Sequence, residues 1–150
     1  MIQVFSTSSM EAAKQMWQLQ QAAYRVEAEL IGWAELPPLR ETVEELMGSD
    51  EIYIAYLEEG ELAGALSYKK INSQLDIHKM IVNPSHFRRG IARQLLNHLE
   101  NSHTDVNTII VSTGARNEPA VQLYLRQGYE WTDSKEVAPG LELAFFQKRL

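Results

Sequence analysis

The sequence contains no cysteine. This absence excludes a disulfide framework, a thiol nucleophile and a cysteine-based zinc site. The four histidines show no metal-ligand spacing, so we expect no metal. A chain that needs no disulfides suits a reducing compartment, and we expect it in the cytoplasm.

Long hydrophobic runs and an excess of basic residues are also missing. No apolar stretch approaches the ~20 residues that a membrane helix needs, and residues 1–6 lack the basic region of a secretory signal. Lys and Arg number 14 against 20 Asp and Glu, a formal net charge of −6. A sequence-independent nucleic-acid binder needs a basic face. We therefore expect neither a membrane nor a nucleic acid as partner.

The chain has 150 residues, of which 45% are hydrophobic, enough for one domain with its own core. No repeat or low-complexity linker interrupts it, so we predict a single domain over residues 1–150. The spacing of apolar residues predicts a mixed α/β sheet with helices packed over it. The predicted helices span residues 10–30, 39–47, 90–100 and 118–126. The predicted strands span residues 2–5, 52–57, 62–68, 75–82, 106–111, 129–131 and 141–146.

One segment, residues 77–96, has the composition of an anion site. A predicted strand ends at Val82, and a helix begins near Gly90 after a polar loop. Small residues at Gly90 and Ala92 let a ligand approach the backbone closely. Free N–H groups of the helix start, the helix dipole and two arginines suit a pyrophosphate. The alternative is an ordinary turn with solvated arginines, because neither a P-loop nor a full dinucleotide motif is present.

A second segment covers residues 117–129. Asn117 is a plausible helix cap, and Pro119 fits the first helical turn. Tyr124 lies on the same side of this helix as Ala120. Taken alone, it is more readily interpreted as a core aromatic than as a catalyst.

Together the two segments resemble the GCN5-related N-acetyltransferase (GNAT) family over about residues 75–131. The family's cofactor motif, Val-x-Pro followed by Arg/Gln-x-x-Gly-x-Gly/Ala, is matched in spacing by residues 82–84 and 88–92. Phe87 stands where the leading Arg or Gln is usual, and Arg88 follows one place later. The family's second motif is matched at Asn117, Ala120, Leu123, Tyr124, Gly128 and Tyr129.

The resemblance implies the acyl-CoA N-acyltransferase fold: a mixed, mostly antiparallel sheet of about seven strands, a splay between the two central strands, and helices on both faces. It implies acetyl-CoA as co-substrate and Tyr124 as the proton donor. Three residues would bond the pantetheine arm from the splayed strand: Met80, Ile81 and Val82. The loop residues would hold the pyrophosphate, with Asn117 on the other side of the splay. These loop residues are Arg88, Arg89, Gly90, Ile91, Ala92 and Arg93.

The function so implied is acetyl transfer from acetyl-CoA to a primary amine of a small molecule or peptide, within a ternary complex. The alternatives are a non-catalytic CoA-binding sensor or interaction module, or the same fold with a longer acyl donor. Family members are often homodimers. The general base stays open between Asp76, His78 and water. Trp33 and Glu35 are candidates for an amine pocket, although Trp33 could equally cap the core.

Overall fold

One seven-stranded sheet organises the chain, and the computed structural model describes all of residues 1–150. The strands are β1 Ile2–Phe5, β2 Ile52–Glu58, β3 Glu61–Ile71, β4 Gln74–Val82, β5 Thr108–Gly114, β6 Glu130–Ala138 and β7 Leu141–Arg149. Their order in the sheet is β1-β2-β3-β4-β5-β7-β6. All neighbours are antiparallel except β4 and β5, which are parallel.

Helices cover both faces of this sheet. They are α1 Met10–Ile31, α2 Pro37–Arg40, α3 Val43–Met47, α4 Ile91–Ser102 and α5 Glu118–Arg126, with a 3₁₀ turn at Pro84–His86. Successive residues of a strand point to opposite faces. On β2, Tyr53 accordingly packs under α1 to α3, while Ile54 packs in the core of α4 and α5. The predicted two-faced architecture is confirmed. No helix combines the length and apolar character needed to cross a membrane.

The second helix differs from its prediction. The expectation of one helix over residues 39–47 is wrong, because two short helices, α2 and α3, replace it. Thr42 begins α3 through a capping box: its hydroxyl accepts from the Glu45 N–H, and the Glu45 side chain accepts from the Thr42 N–H. This reciprocal pairing satisfies the free donors of a new helix start and ends the previous turn.

The two strands β5 and β6 also depart from their predicted ends. The strand predicted at residues 106–111 begins at Thr108 and runs to Gly114, and the one predicted at 129–131 runs to Ala138. β6 is an edge strand, exposed over almost its whole length. It therefore lacks the apolar alternation by which a half-buried strand is found in a sequence.

The parallel pair β4–β5 opens partway along its length. Pairing runs from Gln74 opposite Thr108 to Ile77 opposite Val111 and ends there, although both strands continue. His78 is a bulge in β4, since its neighbours Ile77 and Lys79 pair with consecutive residues of β3. A bulge bends and twists a strand. The predicted splay between the two central strands is thus confirmed.

Candidate active site

A cleft of about 320 Å³ occupies the splay. Its walls come from α1, the segment 36–38, β4, β5, α5 and the β6–β7 hairpin. Gly114 of β5 lets α1 close one end, because a Cβ there would lie only 2.9 Å from Ile31 Cγ2. The sheet thus opens at the point where three helices and four strands can present side chains together.

The loop before α4 contains two left-handed residues and leads into a helix start with free N–H groups. Arg88 (φ 65°) and Gly90 (φ 75°) are left-handed, whereas Arg89 between them is not. Proteins bind anions where turns of this general kind direct successive N–H groups toward one point. Gly90 caps α4 without a side-chain hydrogen bond, so the first N–H groups of the helix stay available.

The three arginines of this loop have different surroundings. Arg89 donates two hydrogen bonds, 2.9 and 3.1 Å long, to the Glu58 carboxylate. The Arg93 guanidinium lies beside Gly90, 3.5 Å from where a Cβ would stand. Arg88 is exposed, and neither it nor Arg93 takes part in an ion pair. These two cations are therefore the ones free to meet an anion at the loop.

The two residues after Gly90 anchor the helix instead. Ile91 is buried and packs so closely on Gly64 of β3 that a Cβ at Gly64 would lie 2.8 Å from Ile91 Cγ2. Ala92 is half-buried. What these two residues fix is the position of the helix start and of its backbone N–H groups.

The open edge of β4 presents the backbone of Met80 and Val82. Just after the end of β4, the Asn83 N–H points toward β3 and donates to the Ala63 carbonyl at 2.8 Å. Backbone groups alternate along a strand, so those of Ile81 also point to β3, and its side chain is buried beneath α1. Of the three predicted pantetheine contacts, Met80 and Val82 face the splay and Ile81 does not.

Tyr124 is both a core aromatic and a cleft residue. Its ring packs against Tyr129 and Phe146, with centroids 5.6 and 5.5 Å apart. Tyr124 also lines the cleft, and its hydroxyl has no hydrogen bond to the protein although it is not sealed in the core. Burial and the nearby Glu27 charge raise the pKa of Tyr124 well above its usual range. The hydroxyl therefore stays protonated and is free to donate.

Asn117 connects α5 to α1. Its Oδ1 accepts from the Ala120 N–H and caps the helix, as predicted. Its Nδ2 donates to Glu27 Oε1 at 2.6 Å and lies 3.4 Å from Thr113 Oγ1. The amide side chain is thus engaged on the α1 side of the cleft.

Glu27 is a cleft residue that sequence analysis missed. It lines the cleft beside Tyr24, and burial raises its pKa, although the Asn117 hydrogen bond partly offsets this. The available signal was its spacing, because Tyr24, Glu27 and Ile31 follow one another at intervals of three or four along α1 and share a face. A carboxylate on the inward face of an amphipathic helix requires a partner or a function.

Lys79 is a second buried charge outside the predicted set. Its Nζ donates to Glu41 Oε1 at 2.6 Å and to the Tyr53 hydroxyl at 2.8 Å. Burial lowers the pKa of Lys79, but these two hydrogen bonds outweigh it and hold the pKa above its ordinary value. The charged pair ties β4 to the segment between α2 and α3 and so fixes that wall of the cleft.

Of the two residues predicted as candidates for the general base, only one lines the cleft. His78 lines the cleft, with Nδ1 3.6 Å from Glu51 Oε2 and Nε2 3.4 Å from Asp76 Oδ2. Asp76 does not line it.

The loop after α1 contributes different residues from those considered. Trp33 packs on the core beneath α1, the second of its two interpretations. Glu35 is exposed and pairs with Arg40. Neither lines the cleft, which is walled there by Leu36, Pro37 and Pro38.

Comparison with known proteins gives a family match and many structural matches. Residues 12–129 match the model of the acetyltransferase (GNAT) family. The UPF0157 protein YqkA of Bacillus subtilis (strain 168) is 34% identical over 146 residues, which are 97% of this chain but 43% of YqkA. The chain thus spans less than half the length of this curated relative.

Two solved structures share the fold across nearly the whole chain. The PaiA N-acetyltransferase of Thermoplasma acidophilum, in complex with coenzyme A, superposes with a TM-score of 0.81 at 13% identity, covering 100% of this chain and 99% of that one. The ribosomal-protein-S18-alanine N-acetyltransferase of Escherichia coli gives 0.77 at 16% identity, with 99% and 94% covered. At these identities the likeness is one of fold.

Proposed function

This chain belongs to the acetyltransferase (GNAT) family, and on that premise we propose that it transfers an acetyl group from acetyl-coenzyme A to a primary amine of a small molecule or peptide. One observation carries the proposal. The loop before α4 follows the open edge of β4, and Met80 of that edge borders the cleft together with the unpaired Tyr124. A long thioester with phosphates at one end could use these three features in turn.

The coenzyme would lie along that path. Its pyrophosphate would meet the loop of residues 88–93, where Arg88 and Arg93 have free guanidinium groups. Its pantetheine arm would pair with the backbone of Met80 and Val82, as an added strand does at a sheet edge. The thioester would then reach the splay near Tyr124.

The chemistry has three requirements that these groups can meet. The amine must be neutral to attack the thioester carbon. The carbonyl oxygen gains negative charge and needs a donor, for which a backbone N–H on the open edge of β4 is suited. The C–S bond then breaks and the thiolate takes a proton from Tyr124. Because the pKa of Tyr124 is raised, we expect this transfer in concert with return of a proton from the new amide nitrogen.

The proposal is tested by binding and then by turnover. We expect acetyl-CoA to bind with 1:1 stoichiometry in calorimetry. Turnover is followed as free CoA thiol with a disulfide reagent, and because the chain has no cysteine, the protein adds no background. The acceptor panel comprises n-butylamine, 1,4-diaminobutane and a lysine-containing tripeptide, and butyryl-CoA in place of acetyl-CoA tests the acyl length.

The outcomes are distinct. Amine-dependent thiol release with acetyl-CoA supports the enzyme. Binding without turnover of any amine favours a CoA-binding module instead. No binding by the folded protein would overturn both.

A further inference from the structure

Glu27 stands in the cleft with one oxygen held and the other free. Oε1 accepts the 2.6 Å hydrogen bond from Asn117 Nδ2. No protein donor reaches Oε2, and it is not sealed in the core. A carboxylate fixed at one oxygen and open at the other is oriented to accept a hydrogen bond from a ligand.

Glu27 lies on the face of the sheet opposite the proposed path of the coenzyme. The loop that would hold the pyrophosphate precedes α4, which packs on one face of the sheet, whereas α1 packs on the other. A thioester that enters the splay from the α4 side would meet Glu27 of α1 across the opening. The space between them is where an acceptor must stand.

The cleft supplies no cation to Glu27. The groups around it are Tyr24 on its own helix, Asn117 and Tyr124 of α5, Thr113 of β5, and His78 and Lys79 of β4. The Lys79 ammonium is taken by Glu41 and Tyr53, and His78 lies between Glu51 and Asp76.

The arginine on the loop between β5 and α5 is also occupied. Arg116 donates to the Ile31 carbonyl at 3.5 Å and forms no ion pair with Glu27. An ammonium from outside would therefore be the first cation to pair with this carboxylate.

We propose that Glu27 binds the ammonium group of the acceptor and takes its proton, with Asn117 as the positioning residue that aims the carboxylate. This inference rests on the proposed function and names the base of that reaction. Burial raises the pKa of Glu27, which makes it a stronger base than a solvated carboxylate.

The protons balance through two routes. One proton passes from the acceptor ammonium to Glu27 Oε2 and then to solvent, leaving a neutral amine. That amine attacks the thioester carbon, and the C–S bond breaks. The second proton leaves the nitrogen as the amide forms and, by way of Tyr124, ends on the CoA sulfur. The products are the acetylated amine, CoA thiol and one proton released to water.

The test compares Glu27→Gln with the wild type, using acetyl-CoA and the amine of the panel that is turned over fastest. Gln keeps the size of the side chain and an oxygen for Asn117 but cannot take a proton. We expect kcat/KM to fall by ~10²-fold or more. The wild-type rate should decrease toward acid pH as Glu27 is protonated, and the rate of Glu27→Gln should not show this decrease. The Kd for acetyl-CoA should stay within about twofold, since Glu27 lies on the acceptor side. Glu29→Gln, exposed on the same helix, should match the wild type.

Two further variants keep the inference open to refutation. Glu27→Asp retains the carboxylate and should keep more activity than Glu27→Gln; equal losses would mean that packing rather than charge matters, and would overturn it. His78→Gln is the comparison for the rival base in the cleft and should lose less rate than Glu27→Gln. A Glu27→Gln rate within threefold of the wild type, or a collapse in His78→Gln alone, also overturns it while leaving the acetyltransferase intact. A wild type that binds acetyl-CoA and acetylates no amine refutes the proposed function, and Glu27 as base with it.

Discussion

The Asn117 side-chain amide donates a 2.6 Å hydrogen bond to Glu27 Oε1, joining residues 90 positions apart. The same side chain caps α5 through the Ala120 N–H. One residue therefore sets both the start of the helix that carries Tyr124 and the direction of the carboxylate across the cleft. The relative position of the Tyr124 hydroxyl and the Glu27 carboxylate, the two groups proposed to move protons, depends on this amide.

Removal of the Tyr124 hydroxyl should separate catalysis from binding. Tyr124→Phe leaves the ring packing on Tyr129 and Phe146, so the fold is retained. We expect kcat to fall by ~10²-fold, in the range of a lost general acid, with the Kd for acetyl-CoA within about twofold by calorimetry. Tyr68→Phe, which removes a hydroxyl facing His103 outside the cleft, is the control. An unchanged kcat in Tyr124→Phe would exclude the hydroxyl from the reaction.

A side chain at Gly90 should block the anion site. Gly90→Glu adds a negative charge beside the Arg93 guanidinium, and we expect the Kd for acetyl-CoA to rise at least ~10-fold. Gly140→Glu is the matched control, because Gly140 has a similar φ of 82° and no atom within 4 Å of its Cβ position. Both variants carry the strain of a left-handed residue, ~1–2 kcal/mol. Equal affinity in the two would show that the loop does not hold the phosphates.

Arg88 allows its backbone and its charge to be tested separately. It is left-handed at φ 65°, a conformation that glycine adopts without strain. Arg88→Gly and Arg88→Ala both remove the guanidinium, but only glycine relieves the backbone. We expect the glycine variant to be the more stable by ~0.5–1 kcal/mol in urea unfolding. Both should weaken acetyl-CoA binding alike, and unaltered affinity in both would leave the Arg88 side chain without a phosphate contact.

Breaking the Lys79–Glu41 pair should destabilise the wall of the cleft. Lys79→Met leaves Glu41 and the Tyr53 hydroxyl without their shared donor, and loss of one partner of a buried pair costs ~3–5 kcal/mol. Urea unfolding measures the loss, and exposed Lys14→Met should lie within ~0.5 kcal/mol of the wild type. Adding Glu41→Gln to Lys79→Met should recover part of the stability. A single-variant effect below ~1 kcal/mol would mean that the pair does not hold the wall.

The raised pKa of Glu27 predicts a pH-dependent gain in stability on its removal. The folded state holds this proton more tightly than the unfolded state does. The stabilising contribution of the group is therefore greatest below its unfolded pKa and is lost as pH rises through its folded pKa. Glutamine does not titrate, so the Tm of Glu27→Gln minus that of the wild type should be larger at pH 7 than at pH 4. A difference that is flat or falls with pH contradicts the raised pKa.

Local chemistry explains which elements the sequence predicts well. The helix at residues 118–126 matches α5 at both ends, because Asn117 as cap and Pro119 in the first turn act within a few residues. The turn before α4 is predictable for the same reason, since Gly90 requires only its own backbone angle. A feature that depends only on residues close in the sequence can be predicted without knowledge of the rest of the fold.

The missed features depend on distant partners. Glu27 is held in the cleft by Asn117, 90 positions away, and Lys79 is held by Glu41, 38 positions away. The length of β6 depends on pairing with β7 rather than on its own exposed side chains. The break between α2 and α3 was readable in principle, since Thr42 and Glu45 have capping-box spacing, but it competed with an apolar pattern that ran across it.

The opening between β4 and β5 leaves two antiparallel ribbons, β1–β4 and β5–β7, joined by only four opposed residue pairs. Those pairs lie at one end, and beyond them the facing edges of β4 and β5 are unpaired. A pantetheine arm hydrogen-bonded to the free edge of β4 would fill the gap between β4 and β5, as an additional strand would. It would thereby brace the two ribbons against each other. The coenzyme would then be a structural member as well as a reactant, and the protein would be mechanically stiffest while it holds one.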